Sequence, residues 1–163
     1  MSKQDDYSPE EWQSITSAPV MAGLLISLSD VSGPVGMTKE AIAVAKAVTD
    51  SASQTGTELL AAIAITWKTQ VTKPNFPELP RDTPDAARNA ALELCKKAAD
   101  IVSQKSPTEA DEYKKWLVSL ARKAAEAAKE GGFLGFGGKL VSDAETAAIN
   151  SLASALGVSE KGS

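Results

Sequence analysis

The segment SPTEADEYKKWLVSLARKAAEAAKE at residues 106–130 decides the fold class, because its pattern is that of one long amphipathic helix. Apolar side chains recur at steps of three and four residues, and Lys and Glu fill the other faces. Ser106 stands three residues before Glu109, and Pro107 occupies the first helical position, which predicts a capping box at the helix start. The apolar positions, which form one buried stripe, are Tyr113, Trp116, Leu117, Leu120, Ala121, Ala124 and Ala128.

Similar start signals recur along the chain. A Ser three residues before a Glu also stands at 8–11 and at 142–145, so we expect two further capping boxes. Thr83 followed by Pro predicts another helix start, and Ser-Ala-Pro at 17–19 repeats the signal more weakly. Helices therefore follow one another along most of the sequence.

The predicted fold class is all-α, in a single compact domain that comprises residues 1–163. No segment has the alternation of a half-buried strand. The segment KPNFPELPRDTP at 73–84 holds four prolines, which exclude a helix interior and a central strand, so it is an internal loop. Its flanks are apolar helices of one domain, although an extended loop of this kind would also suit docking of a partner. We predict seven helices, at 8–17, 18–29, 38–52, 56–71, 84–104, 107–130 and 142–156.

Charge and hydropathy exclude two classes of partner. The chain has 17 Lys and Arg against 21 Asp and Glu, so we do not expect the broad basic surface that neutralises nucleic-acid phosphates. The longest apolar stretches, 18–28 and 59–67, are shorter than the roughly 20 residues that span a bilayer. The first residues, MSKQDDYSPEEW, carry acids where a secretory signal has a basic and then an apolar region. We therefore predict no nucleic-acid partner, no membrane span and no export by a signal peptide.

Histidine is absent, and Cys95 is the single cysteine. These two facts exclude a Ser/His/Asp triad, a Cys/His dyad, an imidazole zinc site and an intrachain disulfide. A lone cysteine suits a reducing compartment, so the predicted localisation is cytoplasmic. Cys95 lies inside an apolar stripe, and we interpret it as a core residue and not as a nucleophile. Any metal site would have oxygen ligands, which favour calcium, magnesium or manganese.

The glycine-rich segment GGFLGFGG at 131–138 raises the question of a phosphate-binding loop. A P-loop needs Ser or Thr after Gly-Lys and a strand before it, yet Leu140 follows Gly138-Lys139 and the preceding segment is helical. The dinucleotide-binding pattern fails as well, because it requires a glycine at position 140. We interpret these glycines as a helix C-cap and turn residues, with the two phenylalanines as apolar anchors.

Residues 33–40 and 138–145 are similar to each other. Glycine begins both segments, a branched apolar residue follows, and Glu ends both, at Glu40 and Glu145. This weak repeat indicates two related helical hairpins. The alternative is chance similarity, since capping chemistry alone favours such residues at a helix start.

Two segments resemble the motifs of the tellurite-resistance protein B-like (TerB-like) family. The first, LLISLSDVSGPVGMTKEAIAVAKAV, places Asp30, Gly33 and Glu40 between two helices, and the second is GKLVSDAETAAINSLASALGVS. Where the family usually has Asp directly before Gly, two residues intervene after Asp30, and the second segment has Gly-Gly-Lys instead. The resemblance implies an all-helical bundle of about seven helices and a role in bacterial stress response, including resistance to tellurite.

The same resemblance implies a divalent metal site. Family members are thought to carry an acidic cluster, and carried over to this chain the metal ligands are Asp30, Glu40, Asp143 and Glu145. The alternative is structural, because the helix dipole favours carboxylates at a helix start by roughly 0.3–1 kcal/mol each. In that alternative Glu145 serves only its capping box.

Three hypotheses for function follow. The first is a non-enzymatic stress-response module that binds a divalent cation or a protein partner. The second is a scaffolding protein that dimerises through a helix face. The third, an enzyme that uses carboxylates alone, has only Glu40 or Glu145 as candidates and no partner base or nucleophile, so we expect the protein not to be an enzyme. The residues that would let helices approach in a homodimer are Ala61, Ala62, Ile63, Ala64, Ile65 and Trp67.

Overall fold

A computed structural model describes residues 3–29, 44–50, 57–69, 78–130 and 143–159, and these residues contain helices and no strand. The all-α class is therefore confirmed. A 3₁₀ turn at Lys3–Asp6 precedes the first helix. The helices are α1 at Pro9–Ser27, α2 at 44–50, α3 at Glu58–Thr69, α4 at Pro84–Lys105, α5 at Pro107–Glu130 and α6 at Asp143–Leu156.

The first two predicted helices are one helix, and the expected break at 17–19 is wrong. Helix α1 continues through Pro19. The Ser17 hydroxyl bonds back to the carbonyl of Gln13, as a residue inside a helix does, and not forward as an N-cap. Pro19 has no N–H to offer the carbonyl of Ile15, and that carbonyl instead accepts a hydrogen bond from the Tyr113 hydroxyl, at 2.9 Å. A donor from another helix thus makes the internal proline tolerable.

Two of the predicted helix starts form as expected. The Ser8 N–H donates to Glu11 Oε2 at 2.8 Å, and the Glu11 N–H donates to Ser8 Oγ at 3.2 Å, which completes a capping box. The Thr83 hydroxyl accepts from the N–H of Ala86 at 3.1 Å and begins α4. The third box, at 142–145, involves Ser142, which lies outside the described residues.

The capping box predicted for Ser106 and Glu109 does not form. The Ser106 N–H donates to the carbonyl of Val102 at 2.7 Å and closes α4, so it is not available to Glu109. The Ser106 hydroxyl pairs with the Tyr7 hydroxyl at 2.7 Å. Ser106 alone joins α4 to α5, and its N–H serves the end of the earlier helix while its carbonyl accepts from the N–H of Glu109 in the later one, at 3.0 Å.

The core lies where α1, α4 and α5 pack on one another, and α6 covers α4 and α5. The stripe predicted on α5 is buried from Tyr113 to Ala124, and Cys95 is buried on α4 as predicted. The fully buried large side chains include Ile15, Met21, Ile26, Leu59, Leu60, Ile63, Tyr113, Leu117, Leu120 and Leu152.

Two glycines have distinct structural roles. A Cβ added at Gly23 in α1 would lie 2.6 Å from Val44 Cγ2, so glycine permits the close contact of α1 with α2. Gly157, at φ +70°, ends α6 in a Schellman motif. The N–H of Val158 donates there to the carbonyl of Ala153 at 2.9 Å, and the Gly157 N–H donates to that of Ser154 at 3.2 Å.

The described part of the proline-rich loop, residues 78–83, has no regular secondary structure, as predicted. Leu79 within it packs against the core. No helix in the described ranges is both long and apolar enough to cross a membrane.

Candidate functional site

The four predicted metal ligands fall into two groups. Asp143 and Glu145 lie in the first turn of α6, whereas Asp30 and Glu40 lie outside the described residues. The glycine-rich segment and both copies of the predicted repeat, up to Ser142, lie outside them as well. In the part of the chain that is described, no three Cys, Asp or Glu side chains are grouped so that they could hold a metal ion.

Asp143 and Glu145 have opposite environments. Asp143 is exposed and suits the dipole of α6, as the structural alternative expects. Glu145 is only 1% exposed and lies on the same helical face as Ala148, Ile149 and Leu152, all of them buried. The period of the helix carries this signal, since positions 145, 148, 149 and 152 share one face. A carboxylate buried to this degree is maintained when hydrogen bonds or a nearby positive charge compensate for its lost hydration.

A second polar site, which the sequence analysis missed, joins the N-terminal turn to two helices. Lys3 Nζ lies 2.8 Å from Glu109 Oε2, and Glu109 Oε1 accepts a hydrogen bond from the Leu59 N–H at 3.0 Å. The bond to Glu109 is the main cause of a raised pKa at Lys3. Glu109 thus caps α3 and not its own helix. No local signal reveals this, because Leu59 is 50 residues away along the chain.

The N-terminal turn is also attached to the end of α4. Lys105 Nζ lies 2.7 Å from Glu11 Oε2 and 3.3 Å from the carbonyl of Asp6, and 5.8 Å from the centre of the Tyr7 ring. The hydrogen bond from Lys105 is the main cause of a lowered pKa at Glu11. Together with the pairing of Tyr7 and Ser106, these contacts hold residues 3–8 against the helices. We call the six residues Lys3, Tyr7, Glu11, Lys105, Ser106 and Glu109 the N-terminal clasp.

The buried groups with intrinsic reactivity are held in their neutral forms. Burial raises the pKa of the Cys95 thiol to about 12, and its Sγ lies 3.5 Å from the carbonyl of Ala18. Burial also raises the pKa of Tyr113 well above its ordinary value. The interpretation of Cys95 as a core residue is therefore confirmed, because an inaccessible neutral thiol is a poor nucleophile.

The residues proposed for a homodimer face are divided between core and surface. Ile63 and Ala64 are buried within the chain, and the Trp67 indole N–H donates to the carbonyl of Thr16 at 2.9 Å. Ile65 is 62% exposed, and Ala61 is partly exposed on the same side of α3. A dimer contact on α3 would therefore be centred on Ile65.

The outer face of α4 carries a shallow depression. Its walls contain both signs of charge, so it presents neither a cation site nor an anion site. The residues that line it are Glu93, Lys96, Lys97, Asp100, Ile101 and Gln104.

Comparison of the chain with protein-family models, with curated proteins and with solved structures finds no significant match in any of the three.

Proposed function

We propose that this protein is a non-enzymatic helical module of the tellurite-resistance protein B-like type, which serves in bacterial stress response in the cytoplasm. It acts by binding a divalent cation or a protein partner, and the proposed ligands of the cation are Asp30, Glu40, Asp143 and Glu145. The observation that carries the proposal is the burial of Glu145 in the first turn of α6, at 1% exposure.

The burial of Glu145 supports a site at the start of α6. A buried carboxylate is expensive to maintain unless hydrogen bonds or a cation stabilise its charge. The resemblance to the TerB-like family adds Asp30, Glu40 and Asp143 as further oxygen ligands. Calcium, magnesium and manganese prefer such oxygen ligands. The chain has no histidine, so it lacks the imidazole ligands that zinc and copper favour.

Support for a binding role, as opposed to catalysis, comes from the described polar groups. The clasp carboxylates Glu11 and Glu109 are each engaged by a lysine and a backbone N–H. The thiol of Cys95 is buried. These described groups therefore have structural roles.

A thermal melt tests the proposal. The chelator-treated protein is melted with and without millimolar calcium, magnesium or manganese, and a cation that binds the folded state raises the melting temperature by ligand linkage. The variant Glu145→Gln keeps the size of the side chain and removes the charge, so we expect it to abolish the shift. The matched control is Glu112→Gln, which changes an exposed carboxylate on α5 and should leave the shift intact. The absence of a shift with all three cations, or a shift that Glu145→Gln retains, would refute the cation site.

The alternative function is that of a scaffolding protein that forms a homodimer through α3. The specific observation in its favour is Ile65, the one large hydrophobic residue among the described positions that is exposed. Sedimentation of the protein at high concentration, beside the variant Ile65→Lys, tests this alternative. A monomeric mass at all concentrations contradicts it.

A further inference from the structure

The N-terminal clasp connects the N-terminal turn to helices α1, α4 and α5, and through Glu109 to the start of α3. Helices α1, α4, α5 and α6 pack on one another. Among the described elements, the main contacts of α3 are with α1 and with the 3₁₀ turn at Lys3–Asp6. That turn buries none of its own side chains, so polar contacts hold it in place.

Helix α3 is fixed to its neighbours by polar bonds at both ends. At its last turn the Trp12 indole N–H donates to Thr66 Oγ1 at 3.3 Å, and that of Trp67 donates to the carbonyl of Thr16. At its first turn the Leu59 N–H donates to Glu109. The carboxylate of Glu109 is therefore the polar link between α5 and the start of α3.

That carboxylate forms an ion pair with Lys3 in the N-terminal turn. The side chain of Glu109 is 13% exposed and that of Lys3 is 22% exposed, so solvent screens this pair only in part. When the turn detaches, Glu109 keeps a largely buried charge without its cation, an unfavourable state that its carboxylate relieves by turning toward water. The Leu59 N–H then loses its acceptor, and the start of α3 loses its cap.

We infer that the N-terminal turn at Lys3–Asp6 and α3 open and close as one local unit, with the ion pair between Lys3 and Glu109 as the coupling element. The N-terminal turn is thus a latch, and its release uncovers an apolar face of α3 while the other packed helices stay folded. The buried side chains on that face are Leu59, Leu60 and Ile63. This inference is independent of the proposed cation site, because none of its residues is among the four proposed metal ligands.

Native-state hydrogen exchange on the full chain tests the latch, with peptides that report α3 separately from α4 and α5. The variant Lys3→Gln should accelerate exchange of the α3 amides about fivefold, the scale of a lost helix cap, and leave α4 and α5 unchanged. Glu109→Gln should act on the same amides. The double variant should add little to the larger single effect, because both changes break one coupling.

Two matched variants keep the test sharp. Lys3→Arg retains the positive charge and should restore the exchange of α3 to that of the unmodified chain. Lys96→Gln removes an exposed lysine on α4 and should change nothing in α3. The latch is refuted when Lys3→Gln leaves α3 exchange unchanged, or when it accelerates all helices equally, since the second result means global destabilisation.

Discussion

The Tyr113 hydroxyl donates a hydrogen bond of 2.9 Å to the main-chain carbonyl of Ile15, the group that Pro19 leaves without its helical donor. Tyr113 and Ile15 are both fully buried. An unpartnered carbonyl at this depth would lose about 1–3 kcal/mol of desolvation energy. The bond therefore explains how α1 passes through a proline in the centre of the core. The Trp67 indole and the Cys95 thiol reach the neighbouring carbonyls of Thr16 and Ala18.

Removal of this donor should destabilise the protein. We expect Tyr113→Phe, which keeps the ring and deletes the hydroxyl, to lower the free energy of unfolding by about 1–3 kcal/mol, because the Ile15 carbonyl becomes unsatisfied. Urea denaturation measures the change. A loss within experimental error would mean that the carbonyl finds another donor.

A second substitution separates this bond from general packing. Pro19→Ala restores an N–H that can donate to the Ile15 carbonyl along the helix. In that background Tyr113→Phe should cost clearly less, so the double-mutant cycle should give a coupling energy of about 0.5 kcal/mol or more. Additive effects of the two changes would contradict the explanation.

Local patterns were sufficient for part of the fold. Helix α4 follows from its periodic apolar residues and from the start signal at Thr83, and α5 follows from its periodic apolar residues. The break expected at Pro19 was wrong because the residue that decides it, Tyr113, is 98 positions from its acceptor Ile15. The sequence shows that a proline lacks an N–H, but it does not show that a hydroxyl from a distant helix replaces the lost donor.

In the candidate sites, too, one feature could be predicted from local sequence and another could not. The period of α6 places Glu145 on the buried face, so its burial could have been read from the sequence. The role of Glu109 could not, because Ser106 offered a plausible local partner. Two helices joined by a single residue compete for its backbone N–H, and the end of α4 has it. Such competition depends on tertiary geometry and has no local signature.

The two serines that carry the same motif should behave differently. Ser8→Ala removes the N-cap of α1 and should lower the free energy of unfolding by about 1 kcal/mol. This loss should be the same in the Tyr7→Phe background. Ser106→Ala removes the partner of the Tyr7 hydroxyl instead. Its cost should therefore be strongly coupled to Tyr7→Phe in a double-mutant cycle by urea denaturation. Equal coupling of both serines to Tyr7 would contradict the assignment of their roles.

Gly23 should resist replacement by a better helix former. Alanine has a higher helix propensity by about 1 kcal/mol, yet its Cβ would lie 2.6 Å from Val44 Cγ2. We expect Gly23→Ala to be destabilising by about 1–3 kcal/mol through overpacking. Thermal unfolding measures this loss.

A second substitution at Val44 tests whether overpacking causes the destabilisation by Gly23→Ala. Val44→Ala removes the branched methyl groups that the new Cβ meets, so the double variant should be more stable than the sum of the two single losses implies. Gly157, where φ is +70° and open space surrounds the added Cβ, is a contrasting control. Its replacement by Ala destabilises through backbone strain, which Val44→Ala cannot relieve.

Alkaline pH should unfold the protein through its buried thiol. The pKa of Cys95 is about 12 in the folded chain against an ordinary value of 9.0, so above pH 9 the unfolded chain releases a proton that the folded chain retains. The stabilising contribution is therefore complete below pH 9 and is lost as the pH rises toward 12, by up to ~1.4 kcal/mol per pH unit. Urea denaturation between pH 8 and pH 11 measures the slope. Cys95→Ala should make the slope less negative by about one proton, and Tyr113→Phe should do so at still higher pH, since burial also raises that pKa. An unchanged slope in Cys95→Ala would show that burial of the thiol does not govern alkaline stability.

Labelling by a thiol reagent tests the burial of Cys95 directly. In the native protein at pH 8, labelling should proceed only as fast as the protein unfolds. Rapid labelling without unfolding would show that the thiol is accessible.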